Sequence, residues 1–212
     1  MSRVARREVI EASHEVARID PAFAPLVERH GPAELHRARP RHGYFGELVR
    51  AICFQQLAGA AARTIHGRLL ALFDGADPDP ARLLALPVES LRGAGLSASK
   101  AASVRDLAEK VVAGDVELDR MGRLADEQVV AELTLVRGIG RWTAEMFLMF
   151  QLGRLDVWPV GDLGVRKGFG VLHGALEPPS ALELEDLGDP LRPYRSVAAW
   201  YCWRALETTL PA

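Results

Sequence analysis

Apolar residues recur at helical spacing along most of the chain, and no stretch alternates as a half-buried strand would. Residues 2–18 set Val4, Val9, Ile10 and Val16 among charges, which predicts an amphipathic helix. Short helices are expected over 22–30 and 32–37, followed by the polar break Arg39-Pro40-Arg41-His42-Gly43. From Tyr44 to Phe73, Phe45, Leu48, Val49, Ile52, Cys53, Leu57, Ile65, Leu69 and Leu72 keep a helical period, with a pause near Leu57-Ala58-Gly59. The Asp/Pro/Gly run 74–80 is a loop, and helices are expected over 81–86, 88–94 and 97–113. A helix beginning at Asp126-Glu127 has Leu124, Val129, Val130 and Leu133 as its buried stripe, and the last helices fall at 163–173, 180–186 and 193–209. The pattern predicts an all-α protein without internal repeats.

Two interruptions of this pattern carry chemistry. In residues 133–146, LTLVRGIGRWTAEM, a helix meets the tight turn Arg137-Gly138-Ile139-Gly140, and a second helix begins at once. Glycines on either side of one aliphatic residue let another backbone approach closely, and the N–H groups opening the second helix form a ready anion site. Ile139 would plug the space between the two helices. An ordinary helical corner is the plainer reading. The second interruption is Trp158-Pro159-Val160-Gly161-Asp162, which places Asp162 at a helix start. An N-cap is the commonest role for Asp there. The same position keeps a carboxylate ionised, as an electrostatic catalyst requires.

Composition narrows the class only a little. The 212 residues are 49% hydrophobic and 25% charged, ordinary for a globular protein of one two-lobed domain or two small ones. No apolar run is long enough for a membrane span, and the N-terminal residues have no apolar stretch of signal-peptide type. A net charge of −2 argues against a non-specific DNA coat, although Arg137, Arg141, Arg154, Arg166 and Lys167 cluster on the two interruptions. Cys53 and Cys202 are the only cysteines, and both read as buried thiols. Two cysteines cannot supply a four-cysteine iron–sulfur cluster, and the six histidines show no metal-ligand spacing.

The order hairpin, Gly-Ile-Gly, Trp-Thr-Ala, then Pro-x-x-Asp resembles the helix-hairpin-helix (HhH-GPD) DNA glycosylases, and most of all their 3-methyladenine DNA glycosylase II branch. Three further segments fit: Ala51–Ala58 with its Gln55-Gln56 pair, the Gly95-Leu96-Ser97…Lys100-Ala101 turn, and the aromatic C-terminal helix through Trp200 and Trp203. The resemblance runs from about Tyr44 to Trp203. It implies a two-lobed helical bundle with the active site in the inter-lobe cleft. Residues 1–43 and 155–212 would form one lobe, and 44–154 with the hairpin the other. With about 43 residues before Tyr44, the compact form of the branch is expected, without an added β-rich domain. Gly161 departs from relatives that often carry a second Asp there, which leaves Asp162 as the single carboxylate.

By the resemblance, the protein flips alkylated purines out of double-stranded DNA and hydrolyses the N-glycosidic bond, leaving an abasic site. Asp162 is the expected catalyst. Gln56 is the expected wedge, and Gly138, Ile139, Gly140, Arg141 and Thr143 the expected DNA grip. Trp142 and Trp203 match family base-pocket positions, with Tyr44 and Trp158 as additional walls. The main-chain carbonyls of Thr134, Val136 and Ile139 are a candidate site for a monovalent cation, Na+ or K+; no other cofactor is implied. Lyase relatives carry a Lys two positions past the second glycine, where this chain has Trp142, so a monofunctional enzyme is expected. The resemblance also implies a monomer working in the bacterial cytoplasm at the nucleoid. The alternatives are a damage-binding module without excision and a glycosylase for oxidised or deaminated bases.

Overall fold

The computed structural model describes residues 6–35 and 42–209, and among these every regular element is helical. They belong to two compact units, one within Met1–Ala38 and Leu148–Ala212 and the other within Arg39–Phe147. No helix among the described residues is long and apolar enough to cross a membrane.

The first unit contains α1 (Arg6–Ile19), α2 (Ala24–His30), α10 (Leu163–Leu172), α11 (Ala181–Gly188) and α12 (Arg195–Thr209). Helix α1 buries Val9, Ala12, Ser13 and Val16, so the stripe expected from spacing faces the core, while Val4 lies outside the described residues. α10 and α12 are its most intimate pair, because Gly168 rests against the Cys202 carbonyl with no room for a Cβ. The helix expected over 32–37 does not form in its described part; 31–35 runs as bend and turn with Ala33 and Leu35 buried. Distant side chains satisfy that backbone instead. Tyr201 Oη donates to the Gly31 carbonyl at 2.7 Å, and the Ala33 N–H donates to Ser13 Oγ at 3.1 Å.

The second unit contains α3 (Gly43–Phe54), α4 (Gly59–Ala71), α5 (Pro80–Ala85), α6 (Val88–Gly93), α7 (Ala98–Ala113), α8 (Asp126–Thr134) and α9 (Arg141–Phe147). Helix α3 ends and α4 begins around the pause read at 57–59. Leu48, Ile52, Leu69, Leu83, Leu91, Leu107, Met121 and Leu133 are fully buried and make its core. The crossing between units falls at Phe147 and Leu148, earlier than the residue 154 suggested by sequence. The helical course does not break there, since α9 runs on into a π-helical turn, Leu148–Leu152. A π turn shifts the face each residue presents, and no local sequence rule announces it.

Candidate catalytic carboxylate and DNA-binding hairpin

In the first unit Asp162 caps α10. Its backbone is extended and its Oδ1 accepts the Val165 N–H at 2.9 Å, the geometry of an N-cap. The same oxygen accepts Trp203 Nε1–H at 3.2 Å. Cap and catalyst are therefore compatible roles for one carboxylate, which two donors hold in place. Gly164 makes the Trp203 contact feasible, because a Cβ there would stand 2.9 Å from both Asp162 Oδ1 and Trp203 Cδ1.

The segment leading to Asp162 is bolted to α11 and α12. Arg195, buried, holds both oxygens of Asp156 at 2.7 and 3.1 Å. The Val157 N–H donates to Ser196 Oγ at 2.8 Å, and the Ser196 N–H donates to the Leu155 carbonyl at 2.9 Å. Trp158 belongs to this anchoring. Expected as a pocket wall, it is instead buried, with Nε1–H donating to the Leu184 carbonyl at 2.7 Å and its indole packed against Gly188 and Phe169. Trp203 is only part-buried, and its ring stacks on Phe150 with centroids 6.0 Å apart. Sequence reasoning missed Phe150, which lies in the π-helical turn.

In the second unit the hairpin joins α8 to α9. Gly138 has φ +79 and its Cβ would meet Ser103 Oγ at 2.7 Å, so both conformation and packing demand glycine. Gly140 has open space where a Cβ would go. Ile139 is 4% exposed and plugs the corner as expected, its N–H donating to the Val136 carbonyl. The first bond of α9 is Ala144 N–H to the Gly140 carbonyl, so the N–H groups of Arg141 and Thr143 precede the helical ladder.

Side chains around this backbone are tied to protein partners. Arg141, its side chain 59% exposed, pairs with Glu127 at 2.6 Å and Glu145 at 3.2 Å, and so braces α8 against α9. Those carboxylates raise the arginine further above its ordinary value, the Glu127 hydrogen bond most. The Thr143 side chain is buried, and Gln55 Nε2 donates to its Oγ1 at 3.4 Å and to the Gly138 carbonyl at 2.9 Å. The Arg137 N–H is taken by Asp106 at 2.7 Å, and Asp106 is in turn held by Lys110 at 2.6 Å.

Gln56 and the half-exposed Trp142 line one cavity of about 530 Å³, together with Ala51, Phe54, Gln55 and Met146. Tyr44 does not line it; its ring meets Phe147 edge-on at 5.4 Å. Thr134 and Val136 lie at the end of α8. Cys53 and Cys202 are both buried, and burial pushes the Cys53 thiol up to about 11.

Residues 49–193 match the HhH-GPD superfamily base excision DNA repair protein family. DNA-3-methyladenine glycosylase 1 of Schizosaccharomyces pombe is 33% identical over 92% of this chain and 86% of its own length. A solved 3-methyladenine DNA glycosylase from that organism, in complex with abasic DNA, superposes with TM-score 0.81 at 33% identity, covering 92% of this chain and 95% of its own. A DNA-3-methyladenine glycosidase from Bacillus halodurans gives TM-score 0.83 at 36% identity, over 93% of this chain and 89% of its own. With its hairpin, its capping aspartate and these relatives, the chain belongs to the HhH-GPD superfamily of base excision DNA repair glycosylases.

Proposed function

We propose that this chain is a monofunctional DNA glycosylase that excises N-alkylated purines of the 3-methyladenine type. The observation that carries the reading is Asp162, whose Oδ1 receives both the Val165 N–H and Trp203 Nε1–H. A carboxylate so held faces little reorganisation when positive charge develops on the sugar. N-alkylated purines are already cationic, so the base leaves without strong protonation. As the glycosidic bond breaks, the sugar gains oxocarbenium character, which Asp162 stabilises while it orients the attacking water. Stacking on the Trp203 indole favours a cationic base over a neutral one by roughly 0.5–2 kcal/mol.

Reaching that bond requires extruding the nucleotide. Main-chain N–H groups of the hairpin fix one strand by its phosphates, and Gln56 fills the vacated stack. The carbonyls of Thr134, Val136 and Ile139 fit a monovalent cation. All three are neutral oxygens at a helix exit, and the Val136 carbonyl, which accepts the Ile139 N–H, keeps a second lone pair. Such an ion offsets phosphate charge. On this reading the protein acts as a monomer on chromosomal DNA in the bacterial cytoplasm.

The test is purified protein on duplex oligonucleotides that each hold one lesion, followed by borohydride trapping. Expected are base release from methylated purines, strands that break only after alkali, and no covalent adduct. A Schiff base needs an amine, and the position that lyases use holds Trp142. Trapping in good yield overturns the monofunctional assignment, and release confined to oxidised bases overturns the substrate class.

A further inference from the structure

Helix α3 ends without the left-handed glycine that commonly closes a helix. One ammonium does the work instead. Lys100 Nζ donates to the Cys53 carbonyl at 2.8 Å and to the Gln55 carbonyl at 2.7 Å. Lys100 stands in the first turn of α7, where Ser97 Oγ accepts its N–H at 3.2 Å, so the Gly95–Ala101 turn aims its side chain at the end of α3. Part-burial lowers the lysine below its ordinary range.

From the other side, the Gln55 carboxamide donates to the Gly138 carbonyl and reaches Thr143 Oγ1. Gln55 is thus clamped by main chain to α7 and by side chain to the hairpin. The next residue, Gln56, stands at φ 54. A non-glycine residue holds the left-handed region only where its surroundings over-determine it. The Gln55-Gln56 pair, the lysine turn and the hairpin, separate in sequence, form one chain of contacts here.

We infer that Lys100 is a positioning residue for base extrusion: through Gln55 it fixes Gln56 against the hairpin, so that wedge and phosphate grip move as one body. Lys100 touches no DNA in this scheme. The inference rests on the reading of Gln56 as the wedge of a DNA glycosylase. It makes the two carbonyl bonds, rather than the positive charge as such, the function of the lysine.

The test uses Lys100→Met, Lys100→Arg, Gln56→Ala and the double variant Lys100→Met/Gln56→Ala. The probe is a duplex with a tetrahydrofuran abasic analogue and 2-aminopurine in the opposite strand. Fluorescence then reports wedge insertion without any excision, so a protein that releases no base from any lesion overturns the proposed function while the wedge assay still gives its own answer. Expected with wild type is a fluorescence change that Gln56→Ala abolishes, Lys100→Met largely abolishes and Lys100→Arg restores. On a paired lesion, Lys100→Met should slow single-turnover excision about tenfold, the order expected for losing a charge-assisted contact, while DNA affinity stays nearly constant. The double variant should be no worse than Gln56→Ala, because both act at one step.

Several results overturn the inference: a wild-type protein with no fluorescence change, a Lys100→Met variant with the full change, or losses that add in the double variant. A salt dependence that flattens by about one unit in Lys100→Met makes the lysine a phosphate contact and overturns it too. If Lys100→Met does not fold, Gln55→Leu cuts the same chain at its next link, and a full signal in that variant overturns the inference.

Discussion

At Gly164 and Gly168 a side chain would collide with protein: with the Asp162 carboxylate and Trp203 at the first, with the Cys202 carbonyl at the second. At Gly140 a side chain would meet nothing. The two units thus use glycine for opposite ends. In the Asp162 unit, glycine lets α10 and α12 close until one indole reaches one carboxylate oxygen. In the hairpin unit, Gly138 is spent on packing against Ser103, whereas Gly140 leaves an open approach to the start of α9. Around that approach Thr143 and Ile139 turn toward protein, and the exposed Arg141 is held by Glu127. One unit presents a held side chain, suited to stabilising charge at one atom. The other presents backbone, suited to holding phosphates whatever the base sequence.

The largest effect should come from Asp162→Asn. Asparagine still caps a helix, so fold and duplex affinity should be retained. Without the charge, single-turnover excision should fall on the order of 10²-fold or more, since the interaction matters mainly near the transition state. Wild-type turnover in this variant removes the chemistry from the Asp162 unit and with it the contrast between the units.

Next comes Gly140→Val. Its side chain points into open space, so the melting temperature should move little while phosphate is kept away from the α9 N–H groups. Duplex affinity should drop about tenfold for all sequences alike, the order set by one or two charge-assisted bonds. The ratio of two lesion substrates should stay constant. Unchanged binding in a salt titration reduces the hairpin to a structural corner. Gly164→Ala is the reciprocal experiment. Overpacking between Asp162 and Trp203 should cost about 1–3 kcal/mol of stability and slow excision, with duplex affinity untouched. If Gly164→Ala weakened binding and spared excision, the assignment of roles to the two units would be reversed.

What the sequence made legible was local. The Gly-x-Gly corner and the aspartate opening α10 are encoded within a few residues, and the structure has both where the pattern predicts them. What escaped depended on partners far along the chain. Residues 31–35 lose their expected helix to Ser13 and Tyr201, 20 and 170 residues away. Trp158 sits four residues before Asp162, and a tryptophan in such a loop reads alike whether it faces solvent or core; its bond to Leu184 settles the matter. Phe150 was hidden by the π turn, and the Lys100 bonds to the end of α3 by a separation of 45 residues or more. Gln56 was singled out through the resemblance, but nothing local announced its left-handed backbone.

The smallest expected effect separates the units by pH. His66, in the hairpin unit, is 8% exposed, and its buried Nε2 has no hydrogen-bond partner. Its ring meets His42 and Phe54 edge-on. Burial first, then the positive charge of Arg50 and of His42, pushes it down to about 4, so it folds neutral. An unfolded histidine titrates near 6.5 and binds a proton between these values that the folded one refuses. The unfolded state therefore holds more protons in that window, and stability falls as pH is lowered from about 6.5 toward 4. At pH 5.5 the loss should be about 1 kcal/mol relative to pH 7.5. His66→Phe keeps a ring of similar shape without the titration, and its unfolding free energy from denaturant titrations should fall by that much less between pH 7.5 and 5.5. A fall equal to that of wild type means that the histidine finds water or a partner in the folded protein and that the hairpin unit owes its acid sensitivity to other groups.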